Sequence, residues 1–207
     1  MKADFRDLVA TRHSVRRFSD QPVPTALVRE LLEQAMWAPS AHNRQPWRFV
    51  ILGKGDVRSG MVRAMADRFS RDLLADGIRG EEARSRTERG RERLLSAPVL
   101  IILCMSMEDM DRYADDRRNK AERTMSTQSV ALAAGHILLG AHAAGLGGCW
   151  LCGPLFAEED VRRSLGLPEA WEPQGALVLG YPAEEPKKTA RRAVDEVCLF
   201  LEWDEGE

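Results

Sequence analysis

Residues 124–157 contain no formally charged side chain, in a sequence where 30% of residues are Asp, Glu, Lys or Arg. A stretch so poor in charge has to be covered by a core, a subunit interface or a membrane. Six glycines (Gly135, Gly140, Gly145, Gly147, Gly148, Gly153), two histidines and Pro154 interrupt it. A membrane helix needs about 20 predominantly apolar residues in a row, and the second half reads as turn and strand instead. The stretch is therefore read as a buried helix over about 125–144 and a short strand over 146–151. A helix that is apolar or small nearly all round belongs in a core or between subunits.

The flanking sequence supplies the other layers. Phe5, Leu8 and Val9 mark a short amphipathic helix over 4–10, and a second begins near Pro24, with Leu27, Leu31, Leu32, Ala35 and Met36 at spacings of three and four. Apolar runs predict strands over 47–52, 98–105 and 175–179, and the uninterrupted run at 98–105 suits a central strand. Between the first two strands, residues 56–93 hold ten arginines and eight acids, which reads as two solvated helices broken near Gly77 and Gly80, with Asp56 as N-cap. The charged stretch 109–123 leads into the uncharged helix, and a further helix covers 158–165. The order predicts one α+β domain over 1–207, three-layered, with a mixed central sheet between helices.

Composition narrows the function. With 30 basic and 32 acidic residues and a net charge of −2, the chain lacks the lasting positive field of a non-specific nucleic-acid binder. All but five of the 30 basic residues are arginine, the better fork for phosphate. Four scattered cysteines make no disulfide framework, and the N-terminal sequence has no apolar signal core, so a cytoplasmic protein with no membrane partner is expected.

Two constellations carry chemistry. In an extended segment, Arg12, Ser14 and Arg16 point to one side because side chains alternate. With His13 they form a donor set suited to phosphate. After the second helix, Pro39 and Pro46 bracket a loop bearing Ser40, Ala41, His42, Asn43 and Gln45, whose amides can meet the edge of a uracil-like ring. Taken alone, either could be an ordinary basic turn or polar loop.

Together, R-H-S-V-R, P-S-A-H-N-R-Q-P-W, G-L-G-G-C-W-L (145–151) and G-Y-P-A-E-E-P…A-R-R-A-V-D-E-V (180–197) resemble, in order, four motifs of the nitroreductase family of flavin enzymes. In 121–125, Cys149–Trp150 and 167–182 the chain is also similar to the flavin domain of the glutamyl ligase that completes a deazaflavin coenzyme. The resemblance implies FMN bound at the interface of an intertwined homodimer, NAD(P)H as donor and a small-molecule acceptor. It implies that Arg12, His13, Ser14 and Arg16 hold the phosphate and ribityl chain, with Arg191 completing the phosphate site. Pro39, Ser40, Ala41, Asn43 and Gln45 would contact the flavin from the partner subunit, and Gly147, Gly148 and Cys149 would lie beside its reactive edge. Where the family often has a lysine, this chain has Thr189, next to Lys188. No catalytic side chain and no metal site are expected, since the hydride chemistry belongs to the cofactor.

Other motifs have plainer readings. Cys149-Trp-Leu-Cys152 imitates a redox pair but lies in a late apolar strand instead of opening a helix. His136 and His142, six residues apart, fall on different helix faces and read as satisfied core or interface histidines. Three functions remain open: a nitroreductase or quinone reductase working by a ping-pong cycle, a reductase of one biosynthetic intermediate, possibly in the deazaflavin pathway, and a non-catalytic flavin-binding protein.

Overall fold

The computed structural model describes residues 4–185 and 189–202. Lys188 and Trp203 lie outside that range. The elements in order are α1 (Phe5–Thr11), α2 (Thr25–Ala35), β1 (Trp47–Leu52), α3 (Asp56–Ala75), α4 (Gly80–Ser96), β2 (Val99–Met105), α5 (Asp116–Ala143), β3 (Gly147–Leu151), α6 (Gly153–Phe156), α7 (Glu158–Leu165) and β4 (Glu172–Gly180). The sheet order is β1-β2-β4-β3.

The three layers follow from the two-residue period of the inner strands. Val99, Ile101, Leu103 and Met105 face a cluster with Leu31 and Ala35 of α2 and Val130, Ala133 and Ile137 of α5. Leu100, Ile102 and Cys104 face the other way, onto Met61, Val62 and Met65 of α3 and Val161 of α7. Both faces of β2 are thus covered, as its unbroken apolar run requires.

The α+β reading holds, with one refinement of the sheet. All neighbouring strands pair antiparallel. The parallel component of the expected mixed sheet is a single bridge, Ser14 to Gly148, outside the named strands. Pro173 is tolerated in inner strand β4 because the β2–β4 register shifts beside it, pairing Leu103 with Gly175 and Cys104 with Pro173.

Three local expectations are corrected. The N-cap of α3 is Gly55, and Asp56 is the first helical residue, where its charge meets the positive end of the helix. Helix α5 begins at Asp116, well before residue 125, because the Asp115 carboxylate accepts the Arg118 N–H at 3.0 Å and caps its charged first turns. The Arg118 backbone and side-chain donors hold that carboxyl below the usual range. The short helix α6 was not expected at all.

Much of α5 packs on the sheet and α2, but one side is bare. Ala131, Leu132 and Ala143 are exposed, and a Cβ added at Gly135 would meet nothing within 4 Å. The tail is also uncovered: Val194, Val197, Leu199, Phe200 and Leu201 are all exposed large hydrophobics.

The charged pair α3–α4 hides one buried arginine. Arg58 is 1% exposed. Its Nε donates to the Leu94 carbonyl at 2.7 Å and its Nη1 to the Ala97 carbonyl at 2.8 Å, with Nη2 also on Leu94. These carbonyls close α4, where a cation is favoured by the helix dipole. Burial pushes the guanidinium down to about 10, so it remains charged at neutral pH. Arg58→Met strands buried carbonyls at roughly 1–3 kcal/mol each. The expected loss is about 2–4 kcal/mol in urea denaturation, whereas the exposed Arg63→Met control should stay within about 0.5 kcal/mol. Equal, small effects at both positions would refute this role.

Candidate functional site

The extended segment after α1 lies against the edge of the sheet. Val15 donates its backbone N–H to the Gly148 carbonyl at 3.0 Å, beside the Ser14–Gly148 bridge. A Cβ on Gly147 would come 2.6 Å from the Val15 Cβ, so glycine is what permits this approach. The preceding turn ends α5: Gly145 has φ +78° and Leu146 donates to the Ala141 carbonyl at 2.8 Å, a left-handed helix termination.

This packing encloses a cavity of about 190 Å³ between the ends of α1 and α5 and the glycine turn. Arg12, His13 and His142 bring nitrogen donors to it, and Gly147 and Gly148 bring backbone. The His142 Nε2 lies 2.9 Å from the Thr11 hydroxyl, which itself donates to the Asp7 carbonyl at 2.6 Å. Burial first, then the charges of Arg12 and His13, hold His142 below its ordinary value.

The loop of residues 38–47 sits elsewhere on α5. The Ala41 N–H donates to the Ser129 hydroxyl at 3.3 Å. Three non-glycine residues are left-handed, His42 (φ 49°), Asn43 (φ 53°) and Gln45 (φ 49°). Such conformations cost roughly 1–3 kcal/mol each and persist only when their surroundings enforce them. Here the Ser40 hydroxyl accepts the Gln45 N–H at 3.1 Å, Gln45 Nε2 donates to Asn43 Oδ1 at 3.2 Å, and the Pro46 carbonyl accepts the Ser106 N–H at 2.8 Å. Pro39, Asn43 and Gln45 are exposed, with Ser40 and Ala41 half-buried.

One chain therefore brings together Arg12, His13, Ser14, Gly147 and Gly148. It keeps Pro39, Ser40, Ala41, Asn43 and Gln45 apart from them, because their anchors Ser129 and His142 are roughly 20 Å apart along α5. Arg16 lines a different cavity, of about 510 Å³, with Arg17, Arg89 and Arg93. Arg191 is exposed, and its guanidinium donates to Thr189 and Ala190 beside it in the chain. Cys149 is 2% exposed in β3. Cys149 and Cys152 are both free thiols, and burial pushes the Cys104 thiol up to about 12. Sequence reasoning missed the part played by His142; its spacing from Thr11 carried no local signal.

Replacing Gln45 by Gly removes a left-handed side chain from the loop at the cost of backbone entropy. The variant is expected to match the wild type or exceed it by up to about 1 kcal/mol in cofactor-free denaturation. A loss greater than that would show that the Gln45 side chain, and not strain, governs the loop.

Against this geometry, the Nitroreductase family model matches residues 9–181. The NADH dehydrogenase of Thermus thermophilus is 29% identical over 95% of this chain and 96% of its own length. A nitroreductase-like protein of Bacillus cereus superimposes with a TM-score of 0.76 at 26% identity, covering 98% of both chains. A Desulfovibrio desulfuricans protein solved in complex with FMN gives 0.74 at 24% identity, over 99% of this chain and 100% of its own. A match running from α1 to the end of β4 spans the glycine turn, the strained loop and the whole sheet, and the chain belongs to the nitroreductase family.

Proposed function

We propose that the protein is an FMN-dependent oxidoreductase that takes electrons from NADH or NADPH and passes them to a nitroaromatic, quinone or related small acceptor, as a cytoplasmic homodimer. The observation that carries the reading is the polar cavity at the C-terminal end of α5 and the strained amide loop at its middle, beside Ser129, on a helix whose outer side is bare.

The residues present fit FMN. Its phosphate carries about −1.5 to −2 charges. Arg12 and His13, with His142 beside them, offer the donors for it in a cavity whose other lining side chains carry no charge. Arg191, exposed and bonded to its chain neighbours Thr189 and Ala190, is assigned to that phosphate from the tail. The left-handed loop presents Ser40, Asn43 and Gln45 as a polar edge matched to the pyrimidine side of the ring. A two-fold pairing along the bare side of α5 sets the middle of one helix, at Ser129, against the His142 end of the other, completing two equal sites. The exposed tail hydrophobics then gain a surface to cover on the second copy.

When bound, FMN supplies two-electron hydride chemistry. The protein's own task is to hold the phosphate, orient the ring and present donors where negative charge develops, for which Asn43 and main-chain N–H groups are assigned. Donor and acceptor occupy the same face in turn, which gives ping-pong kinetics. The protonating group for the acceptor is solvent, so no side chain is indispensable.

Homodimerisation and FMN binding are tested together. The purified protein should bind about one FMN per chain and run as a dimer in light scattering, and anaerobic NADH or NADPH should bleach the flavin band. A colourless monomer after reconstitution with excess FMN would sink the reading. Bound flavin that neither nicotinamide bleaches would favour a dedicated biosynthetic reductase or a flavin-binding protein. The deazaflavin-ligase resemblance bears little on that choice, since 167–182 forms the approach to β4 and buried β4 itself. Cys149→Ala and Cys152→Ala should leave flavin reduction within about tenfold, roughly 1.4 kcal/mol of barrier; abolished turnover with FMN retained would make the thiols the mechanism.

A further inference from the structure

We propose that His142 is a positioning residue for the phosphate-binding segment, acting through Thr11, and that it takes up a proton from solvent when the phosphate of FMN enters the cavity. This rests on the FMN reading above and assigns a role to a histidine outside the family motifs quoted for the chain.

The geometry fixes the tautomer. A hydroxyl has one proton. The Thr11 hydroxyl lies 2.6 Å from the Asp7 carbonyl oxygen, a distance that requires that proton between the two oxygens. The same hydroxyl lies 2.9 Å from His142 Nε2 and is left there only as an acceptor. His142 therefore donates from Nε2, and in the neutral ring Nδ1 carries the lone pair. Among the described residues Nδ1 has no hydrogen-bond partner.

The chain His142 Nε2–H to Thr11 hydroxyl to Asp7 carbonyl joins the last turn of α5 to the last turn of α1. Thr11 is the final residue of α1, and Arg12 is its C-cap. Whatever holds Thr11 thus sets where the backbone leaves the helix and where Arg12 and His13 point. No residue of α1 is buried. A short exposed helix has little packing of its own to hold it, so one polar contact to a rigid neighbour weighs more than usual.

Among the described residues, α1 and the following segment face His142 with Asp7, through Thr11, the guanidinium of Arg12 and the imidazole of His13. Its own last turn, the glycine turn, Val15, Leu138 and Pro182 bring no charge. Burial, Arg12 and His13 keep the ring neutral to a pH lower than its ordinary 6.5. A phosphate in the cavity cancels the repulsion and offers an acceptor for a second N–H, so the bound state raises the pKa. Ligand affinity then strengthens as pH falls through the bound-state pKa and levels off below the free-state one. The second ionisation of the phosphate, near pH 6, works in the opposite direction. The difference between wild type and a His142 variant isolates the histidine.

The test measures FMN dissociation constants by flavin fluorescence from pH 5.5 to 8.5, with riboflavin as the ligand lacking phosphate. Thr11→Val and His142→Ala are each expected to weaken FMN about tenfold, and the double variant no further, because both cut one chain. His142→Gln, which keeps an amide donor, should bind FMN near the wild-type level at pH 8.5 and lose the acid-side gain. Riboflavin affinity should be unchanged throughout. NMR titration of the four histidines should show the His142 pKa rising by about half a pH unit or more on FMN binding. FMN affinities within twofold of wild type, additive losses, or an unmoved His142 pKa would overturn the role of His142 alone. A wild-type protein that takes up no FMN would overturn the parent reading and this inference with it.

Discussion

The hydrogen bond from Val15 to the Gly148 carbonyl, with Gly147 beneath it, is the contact on which the candidate site depends. It docks a segment from the start of the chain on a strand formed more than a hundred residues later. That docking sets Arg12 and His13, which lie just before it, against the glycine turn, which lies just after α5. A side chain at Gly147 would come within 2.6 to 2.8 Å of the Val15 side chain, well inside van der Waals contact. The sheet could still form, since its own pairs β2–β4 and β3–β4 do not need the segment. The phosphate end of the site could not. The fold is thus more tolerant than the site, a division common where loops carry function on a rigid scaffold.

Helix α5 carries both the small cavity and the anchor of the strained loop. Five of its eight buried residues are small, Ser126, Ser129, Ala133, Ala134 and Ala141, and that lets neighbouring elements approach closely. At Gly140 the approach is closest, since a Cβ there would meet the Gln34 side chain of α2. The same lack of bulk leaves an outer side that one chain does not cover. Charge avoidance over 124–157 and small residues along much of the buried side describe a helix that packs closely on its own chain and leaves its outer side bare.

The sequence was legible where burial is one-dimensional. The run Val99–Met105 is buried at every position because it lies inside a three-layer sandwich, and a reader needs only its apolarity to say so. Helix α7 came out at its true bounds for a similar reason, with acids in its first turn and arginines in its last. Legibility failed where partners come from far away. The balanced charges of residues 56–93 read as solvated faces, correctly for Arg84, Arg86 and Arg91, each paired with a glutamate of the same helix. Arg58 looked no different, although its spacing from Met61, Val62 and Met65 put it on the apolar stripe. The carbonyls that receive it lie at the far end of α4. Thr11 and His142 are likewise a pair only after 131 residues of chain have folded between them.

The strained loop shows the same division between what residue types announce and what tertiary structure enforces. Asparagine tolerates a left-handed backbone, but glutamine and histidine gain little from it. Nothing in A-H-N-R-Q favours three such residues in so short a span. They persist because both ends of the loop are pinned, Ala41 to Ser129 and Pro46 to Ser106, while the Ser40 hydroxyl holds the Gln45 amide. Strain retained under that much bracing, at exposed residues that fill no core, has no use in stability. It presents polar edges in an arrangement that a relaxed loop would lose, and the cost of holding them is met before any ligand arrives. That is the form preorganisation takes when a cofactor brings the chemistry and the protein contributes chiefly position.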